Sequence, residues 1–338
     1  MKLLSIAVPC YNSENYMENC IQSLLKGGDE IEILIVNDGS KDRTAEIADE
    51  YEKKYPGIVR AIHQENKGHG GAVNAGLENA TGLYFKVVDS DDWLNEEALK
   101  KVMQVLEEVT RGPETLDALI CNYVYEKEGA KRKRVMRYQS VFPENRIFTW
   151  AEAGKLKLGQ YILMHSLIYR TELLRQCGLK LPEHTFYVDN IFAFQPMLYV
   201  KKLYYLDVNL YRYYIGRVDQ SVNEQVMLTR MDQQLRVNKL MIDYYEPVKI
   251  INKNQRSYMI HNLSIIMAVS SVLLIRRGDE EALAERKELW RYLKAKDVFV
   301  YRHIRHSVLG EGVNLPGKGG RKASVLCYKI ANRLYGFN

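Results

Sequence analysis

The chain has 338 residues, 46% hydrophobic and 27% charged, with 22 Gly and only 8 Pro, which excludes disordered, collagenous and low-complexity classes and suits one large domain or two modest ones. The formal net charge of +6 is unevenly spread: residues 1–120 carry 12 Lys and Arg against 22 Asp and Glu, and the remainder carries 36 against 20. Such asymmetry fits either different partners for the two parts or two solvated surfaces of opposite sign.

In chain order, LLSIAVP reads as a buried strand and Tyr16–Leu25 as a helix with apolar spacing. EIEILIVND is the next strand, residues 42–55 the next helix, IVRAIHQ a third strand and residues 70–80 a Gly-rich helix. LYFKVVD is a fourth strand, residues 96–108 a helix, and LDALICNYVYE a fifth strand. Short apolar runs alternating with helices predict βαβ units and a largely parallel sheet, with ligands beyond the carboxyl ends of its strands. KEGAKRKRVMRYQ reads as a surface turn or hairpin, and LMHSLIYRTELLRQ as a strand running into a helix. From residue 224 the pattern is mostly helical, which sets a boundary near Asn223.

The cysteines (Cys10, Cys20, Cys121, Cys177, Cys327) are odd in number and contain no CxxC pair, so neither a disulfide frame nor a zinc site is expected, and a reducing compartment fits best. The N-terminal apolar run suits a first core strand better than a signal segment. Residues 263–275, LSIIMAVSSVLLI, fall short of the roughly 20 residues of a membrane span and read as a buried helix. From Val298 onward there are seven Lys and Arg against one Glu. That tail fits a peripheral membrane contact or a solvated basic surface.

Four segments carry chemistry. Asp89-Ser90-Asp91-Asp92 follows the fourth strand directly, and clustered carboxylates at the end of a buried strand repel one another unless a divalent cation shares them. On an extended chain Asp89 and Asp91 point to the same side. The competing reading is a helix N-cap, a role that needs one residue and not four, and Asp92 is the candidate capper. In IVNDGSKDRT, Asp38 and Gly39 form either a base-binding carboxylate or an ordinary Asp-Gly turn. In NKGHGGAVNAG, residues 66–76, glycines at a strand–helix junction let the backbone approach a phosphate or ribose. That segment is neither a dinucleotide fingerprint, which needs Gly at Val73, nor a P-loop, which needs Lys at Leu77. Pro9-Cys10-Tyr11-Asn12 ends the first strand, with Tyr11 able to stack on a base and Asn12 able to fix the loop.

As a set, PCYN, VNDGS, NKG with NAG, and DSDD resemble the family 2 glycosyltransferases of GT-A fold, over roughly residues 3–100. The resemblance implies an α/β fold: a Rossmann-like, mixed, mostly parallel sheet flanked by helices, with a helical C-terminal extension. Residues 1–223 would form the GT-A domain, 1–126 its nucleotide-sugar half and 127–223 its acceptor half, followed by the helical region 224–338. It implies that Pro9, Tyr11 and Asp38 contact the nucleobase, usually uracil, and that Asn66, Gly68, Gly71 and Asn74 frame the nucleotide. Ser90 and Asp91 match the ribose and metal contacts, with Asp89 the partner of Asp91 around Mn2+ or Mg2+. Asp189, in TFYVDNIFAF, fits the catalytic base; Val188 stands where the family usually has Glu. The other reading of Asp189 is a helix N-cap.

In LYRYYIGRVDQSVN, Arg212, Arg217 and Ser221 are candidates to hold the donor phosphates, or else a solvated basic surface. His165 falls where the family lines its acceptor pocket, but reads more simply as a satisfied core histidine. The implied activity is inverting transfer of a hexose or N-acetylhexosamine from a UDP-sugar to a glycan or lipid-linked glycan hydroxyl, in cell-surface or exopolysaccharide synthesis. No nucleic-acid partner is expected, and the expected location is cytoplasmic, with peripheral contact at the inner face of the membrane. The alternatives are a non-catalytic nucleotide-sugar binding module, kept open by Val188, and a sugar nucleotidyltransferase.

Overall fold

The computed structural model describes residues 2–127, 133–216 and 224–335. The chain divides into two compact units: Met1–Gly154 with Ile162–Ile215, and Lys155–Tyr161 with Gly216–Asn338. Asn223 lies outside the described residues.

The first unit is built on one ten-stranded sheet. Its elements run β1 (Leu4–Cys10), α1 (Met17–Leu24), β2 (Ile31–Asp38), α2 (Thr44–Lys54), β3 (Val59–Gln64), α3 (Gly68–Asn79), β4 (Tyr84–Val87), β5 (Trp93–Leu94) and α4 (Glu96–Arg111). They continue with β6 (Ala118–Lys127), β7 (Arg134–Met136), β8 (Ile147–Thr149), β9 (Leu167–Arg170), α5 (Thr171–Gln176), α6 (Asp189–Phe194) and β10 (Lys202–Ile215). The strand order is β3-β2-β1-β4-β9-β6-β10-β5, with β7 on β6 and β8 on β10.

β1, β2, β3 and β4 pair in parallel, as alternation with helices predicts. Every residue of β1 and β2 is buried, the mark of strands covered on both faces. The fifth predicted strand, β6, does not lie beside β4. Instead β9 inserts between them, antiparallel to both. This mixed sheet flanked by helices is the GT-A architecture. Close packing holds α3 down on it: a Cβ on Gly76 would stand 2.5 Å from the Ala7 Cβ, so only glycine lets this helix approach β1.

The second unit is helical: α7 (Glu224–Thr229), α8 (Met231–Tyr244), α9 (Lys253–Arg277), α10 (Glu280–Lys296), α11 (Val298–Arg305), α12 (Val308–Val313) and α13 (Gly317–Tyr335). By length and composition α9 is apolar enough to cross a membrane, yet 78% of its most apolar window is buried within the protein. Its polar residues are also matched from neighbouring helices. Trp290 Nε1 donates to Ser271 Oγ at 3.0 Å, and Asn238 Nδ2 donates to Ser270 Oγ at 3.0 Å. Such partners are those of a core helix in an all-protein environment.

Candidate active site

Because β1 to β4 run parallel, the loops that follow them open along one edge of the sheet. That edge therefore gathers Tyr11–Asn12, Gly39, Asn66–Gly68 and Asp89–Asp92. β9 runs the other way, so the turn preceding it, with His165, arrives at the same edge beside the end of β4. β5 pairs antiparallel with β10 and brings Tyr211 to the acidic turn.

The first three loops are tied to one another. Asn12 adopts a left-handed conformation (φ 49°), and its side chain accepts from the Lys41 N–H at 2.9 Å while its own N–H donates to Ser40 Oγ at 3.0 Å. Pro9 is buried inside β1, so it shapes the strand end, whereas Tyr11 stands 53% exposed just beyond it. Asp38 is buried; its Oδ1 accepts from Gln64 Nε2 at 2.6 Å and from the Lys67 N–H at 2.8 Å. Asn66 Nδ2 donates to the Asp38 carbonyl at 3.0 Å. Asp38 thus organises the loop that carries Asn66 and Gly68.

The acidic turn is heavily braced. Asp89 Oδ1 is 2.8 Å from His69 Nε2, and the Asp89 N–H donates to the Tyr211 hydroxyl at 3.1 Å. Ser90 Oγ is 2.8 Å from Ser13 Oγ, joining the turn to the first loop. Asp92 does not cap α4, contrary to the expectation from its position; Asn95 does, accepting from the Ala98 N–H at 3.0 Å. Asp92 is instead buried, with one oxygen accepting from the Tyr211 hydroxyl at 2.6 Å and the other from the Tyr214 N–H at 2.7 Å. Burial first, then the charges of Asp91 and Asp89, push the Asp92 carboxyl well above the usual carboxylate range.

The two histidines respond oppositely. Burial works against the His69 imidazolium, but Asp89, Asp189 and Asp91 together outweigh it and raise its pKa. Burial also opposes ionisation of Asp89, and His69, His165 and Lys86 more than compensate, so its carboxyl titrates below its ordinary value. His165 is 4% exposed and is pulled down to about 4, chiefly by burial, which leaves it neutral at physiological pH. It is not a satisfied core histidine: its Nδ1 is buried without a hydrogen-bond partner among the described residues. Beneath the turn, Lys86 is fully buried and donates to the carbonyl of His165 at 2.8 Å.

Asp189 opens α6, and its side chain does not cap that helix; the N-cap position is Val188, which is buried in the core. The approach to it is conformationally constrained, with His184 and Tyr187 at φ 49° and 66°, values uncommon outside glycine. α3 holds this approach. Asn74 and Leu181 exchange two hydrogen bonds of 2.8 and 2.9 Å, and the His184 N–H donates to the Lys67 carbonyl at 2.8 Å. A Cβ on Gly68 would meet His184 backbone at 3.0 Å, and one on Gly70 would meet the Pro182 carbonyl at 2.4 Å. These residues therefore position the loop that delivers Asp189. Burial raises the Asp189 carboxyl above its ordinary value, and the nearby His69 partly offsets this.

Two expectations change. Asn74 has both ends of its amide committed to Leu181, so any part it plays around a nucleotide is indirect, and Gly71 is needed because a Cβ there would stand 2.3 Å from the Lys67 Cβ. Arg212 lies on the face of β10 opposite Tyr211 and Tyr213, where its guanidinium pairs with Glu126 at 2.9 Å, so it is turned away from the acids. Arg217 and Ser221 lie outside the described residues. His69, Tyr211 and Tyr213 are not marked as site residues by the sequence, apart from the hint of a His inside the Gly-rich segment, whereas His165, expected by resemblance near the acceptor pocket, stands beside Asp89.

The residues present fit a divalent cation. Asp89, Asp92 and His165 each offer a ligand atom, and these atoms lie within 4.8 Å of one another. Because both Asp92 oxygens already accept bonds from protein, Asp92 serves better as a brace than as a ligand.

Comparison with known proteins decides the family. Residues 5–171 match the model described as Glycosyl transferase family 2. The chain belongs to this family. It is 33% identical over 222 residues to EpsH of Bacillus subtilis (strain 168), named as a glycosyltransferase, covering 63% of this chain and 60% of EpsH. To the glycosyltransferase EpsJ of the same strain it is 32% identical over 220 residues, covering 62% and 60%. The chain thus spans about 60% of the length of these curated relatives. Among solved structures, S. aureus TarS 1-349 in complex with UDP-GlcNAc superposes with a TM-score of 0.54 at 23% identity, covering 91% of each chain. The mannosyltransferase PcManGT from Pyrobaculum calidifontis, in complex with GDP-Man and Mn2+, gives 0.51 at 14% identity, covering 98% of this chain and 86% of that one. These likenesses establish the GT-A fold of the family 2 chain.

Proposed function

We propose that this family 2 chain is an inverting glycosyltransferase that moves a hexose or N-acetylhexosamine from a UDP-sugar to an acceptor hydroxyl. The acceptor is a glycan or lipid-linked glycan, and the product belongs to the cell surface or exopolysaccharide. One observation carries the reading. His69 Nε2 stands 2.8 Å from Asp89, just after β4, and Asp189 at the start of α6, about 100 residues later in sequence, joins Asp89 and Asp91 in raising the pKa of that imidazole. A donor diphosphate and an acceptor hydroxyl need such acids on two sides of one sugar carbon.

Asp189 takes the proton of the acceptor hydroxyl as its oxygen attacks C1. The bond from C1 to the diphosphate oxygen breaks, and UDP leaves with the electron pair. Attack from the face opposite the leaving group inverts the configuration. Tyr11, exposed beside the Asp38 loop, offers a stacking surface for the base. Asp91 and Asp89 would hold Mn2+ or Mg2+, which when bound neutralises charge on the diphosphate. TarS, whose complex contains UDP-GlcNAc, makes that compound the first donor to try. The test is UDP release with Mn2+ present, across UDP- and GDP-sugars, for wild type against Asp189→Asn. Donor binding without turnover in both proteins would point to a binding module instead.

The same proposal places the chain on the inner face of the membrane through α13. Lys318, Lys322, Leu326, Lys329 and Ile330 are all exposed on it, with Leu326 and Ile330 at 59% and 50%, and no carboxylate occurs in the helix sequence. Cations beside apolar side chains on one helix suit an anionic lipid interface. Replacing Lys318, Lys322 and Lys329 by Glu should abolish sedimentation with vesicles containing phosphatidylglycerol while leaving UDP release unchanged. Equal sedimentation of both proteins, or none of the wild type at low salt, would end the idea.

A further inference from the structure

We infer that His165 supplies a nitrogen ligand to the divalent cation gripped by the acidic turn, making this a mixed oxygen–nitrogen site. The inference rests on the metal part of the proposed function and extends it to a residue outside the DSDD segment. Three observations lead to it.

First, His165 Nδ1 is buried and lacks a hydrogen-bond partner among the described residues. An orphaned buried polar atom is costly and rare in native proteins, so its retention points to a partner that is not part of the chain. Second, the ring is held in place. It stacks on Tyr211 at 4.4 Å with 24° between planes, and Tyr213 lies 4.4 Å away at 43°. The His165 carbonyl is fixed in turn by Lys86. A ring clamped this firmly is pre-positioned, whereas one that merely filled space would need no such orientation. Third, one of its ring nitrogens lies within 4.8 Å of a carboxylate oxygen of Asp89. Opposite ligands of a six-coordinate ion stand about 4.2 Å apart at bond lengths of roughly 2.1 Å. One electron acceptor in that space would satisfy the imidazole lone pair and relieve the crowding of the carboxylates together.

Other partners for the nitrogen are less economical. A sugar hydroxyl would satisfy Nδ1 but leave the acids repelling one another. Nitrogen ligation also makes a prediction about identity, because imidazole favours Mn2+ over Mg2+, which prefers an all-oxygen shell.

The experiment is pulsed electron paramagnetic resonance of Mn2+ bound to the full chain in the presence of UDP. The wild type should show 14N modulation from an imidazole, altered by 15N-histidine labelling, lost in His165→Gln and retained in His69→Gln. Mn2+ affinity should fall about tenfold or more in His165→Gln, with a smaller change for Mg2+. The wild-type spectrum decides the matter even if the variant fails to fold: bound Mn2+ without histidine nitrogen overturns this inference and leaves the acidic site standing. Absence of any Mn2+ binding with UDP overturns the metal reading itself.

Discussion

In the parallel half of the sheet, chemistry follows each strand at once. β1 runs into Tyr11, β2 ends on Asp38, β3 leads to Asn66 and β4 to Asp89. In the other half, the contributors are scattered. His165 precedes an inserted antiparallel strand, Tyr211 lies inside β10, and Asp189 begins a short helix after a constrained loop. Apart from the buried Asp38, the first set comprises strand-end loops with an interior built of other residues. In the second set, Tyr211 and His165 are themselves part of the interior, at 0% and 4% exposure. The contrast separates residues that can be altered for function alone from residues whose loss also unpacks the core.

Asp189 tests the contrast most severely, because it belongs to the scattered half yet packs little of the core. Asp189→Asn should lower kcat about 1000-fold, within the range attributed to a positioned base, with donor affinity and Tm near wild type. Its pH dependence has a defined sign. Burial raises the Asp189 pKa, so the active, ionised form is lost as pH falls through that raised value. The acid limb of kcat/KM should therefore lie above about pH 4, the ordinary Asp value, and should vanish in Asp189→Asn. A variant with wild-type kcat would remove Asp189 from catalysis.

Tyr211→Phe should have the next largest effect, and on two readouts. The hydroxyl donates to Asp92 and accepts from the Asp89 N–H, so its loss leaves the buried Asp92 carboxyl and the part-buried Asp89 N–H without that partner. A cost of about 1–3 kcal/mol is expected in denaturant unfolding, together with weaker Mn2+ binding as the turn loosens. Lost activity with unchanged stability would break the distinction between the two halves.

The same distinction explains how far the sequence could be read. Parallel strands declare themselves as short apolar runs before a polar turn, so PCYN, VNDGS and DSDD could be located and their common edge inferred. The position of β9 could not, because its pairing with β4 depends on contacts more than 80 residues apart in sequence, as the Tyr84–Arg170 register shows. Without that insertion nothing brings His165 to Asp89. The identity of the α4 cap was lost for a simpler reason: Asp92 and Asn95 are both good capping types, and only tertiary bonding to Tyr211 and Tyr214 separates them. Arg212 was misjudged because alternation along β10 can be counted only once the register is known.

Asn74 offers the finest test, since it links the halves. It sits on α3, in the segment recognisable from sequence, but its amide grips Leu181, on the approach to Asp189. Asn74→Ala removes one donor and one acceptor that satisfy the Leu181 backbone, at a part-buried position where water can replace some of the loss. A destabilisation of about 1 kcal/mol is therefore expected, at the low end for such pairs. The informative quantity is the kinetic split. If Asn74 frames the nucleotide directly, KM for the donor rises while kcat holds. If it acts through the loop, kcat falls severalfold because Asp189 is less well placed, and donor KM barely moves. The bonding observed here requires the second outcome, and an isolated rise in donor KM would return Asn74 to the nucleotide-framing set.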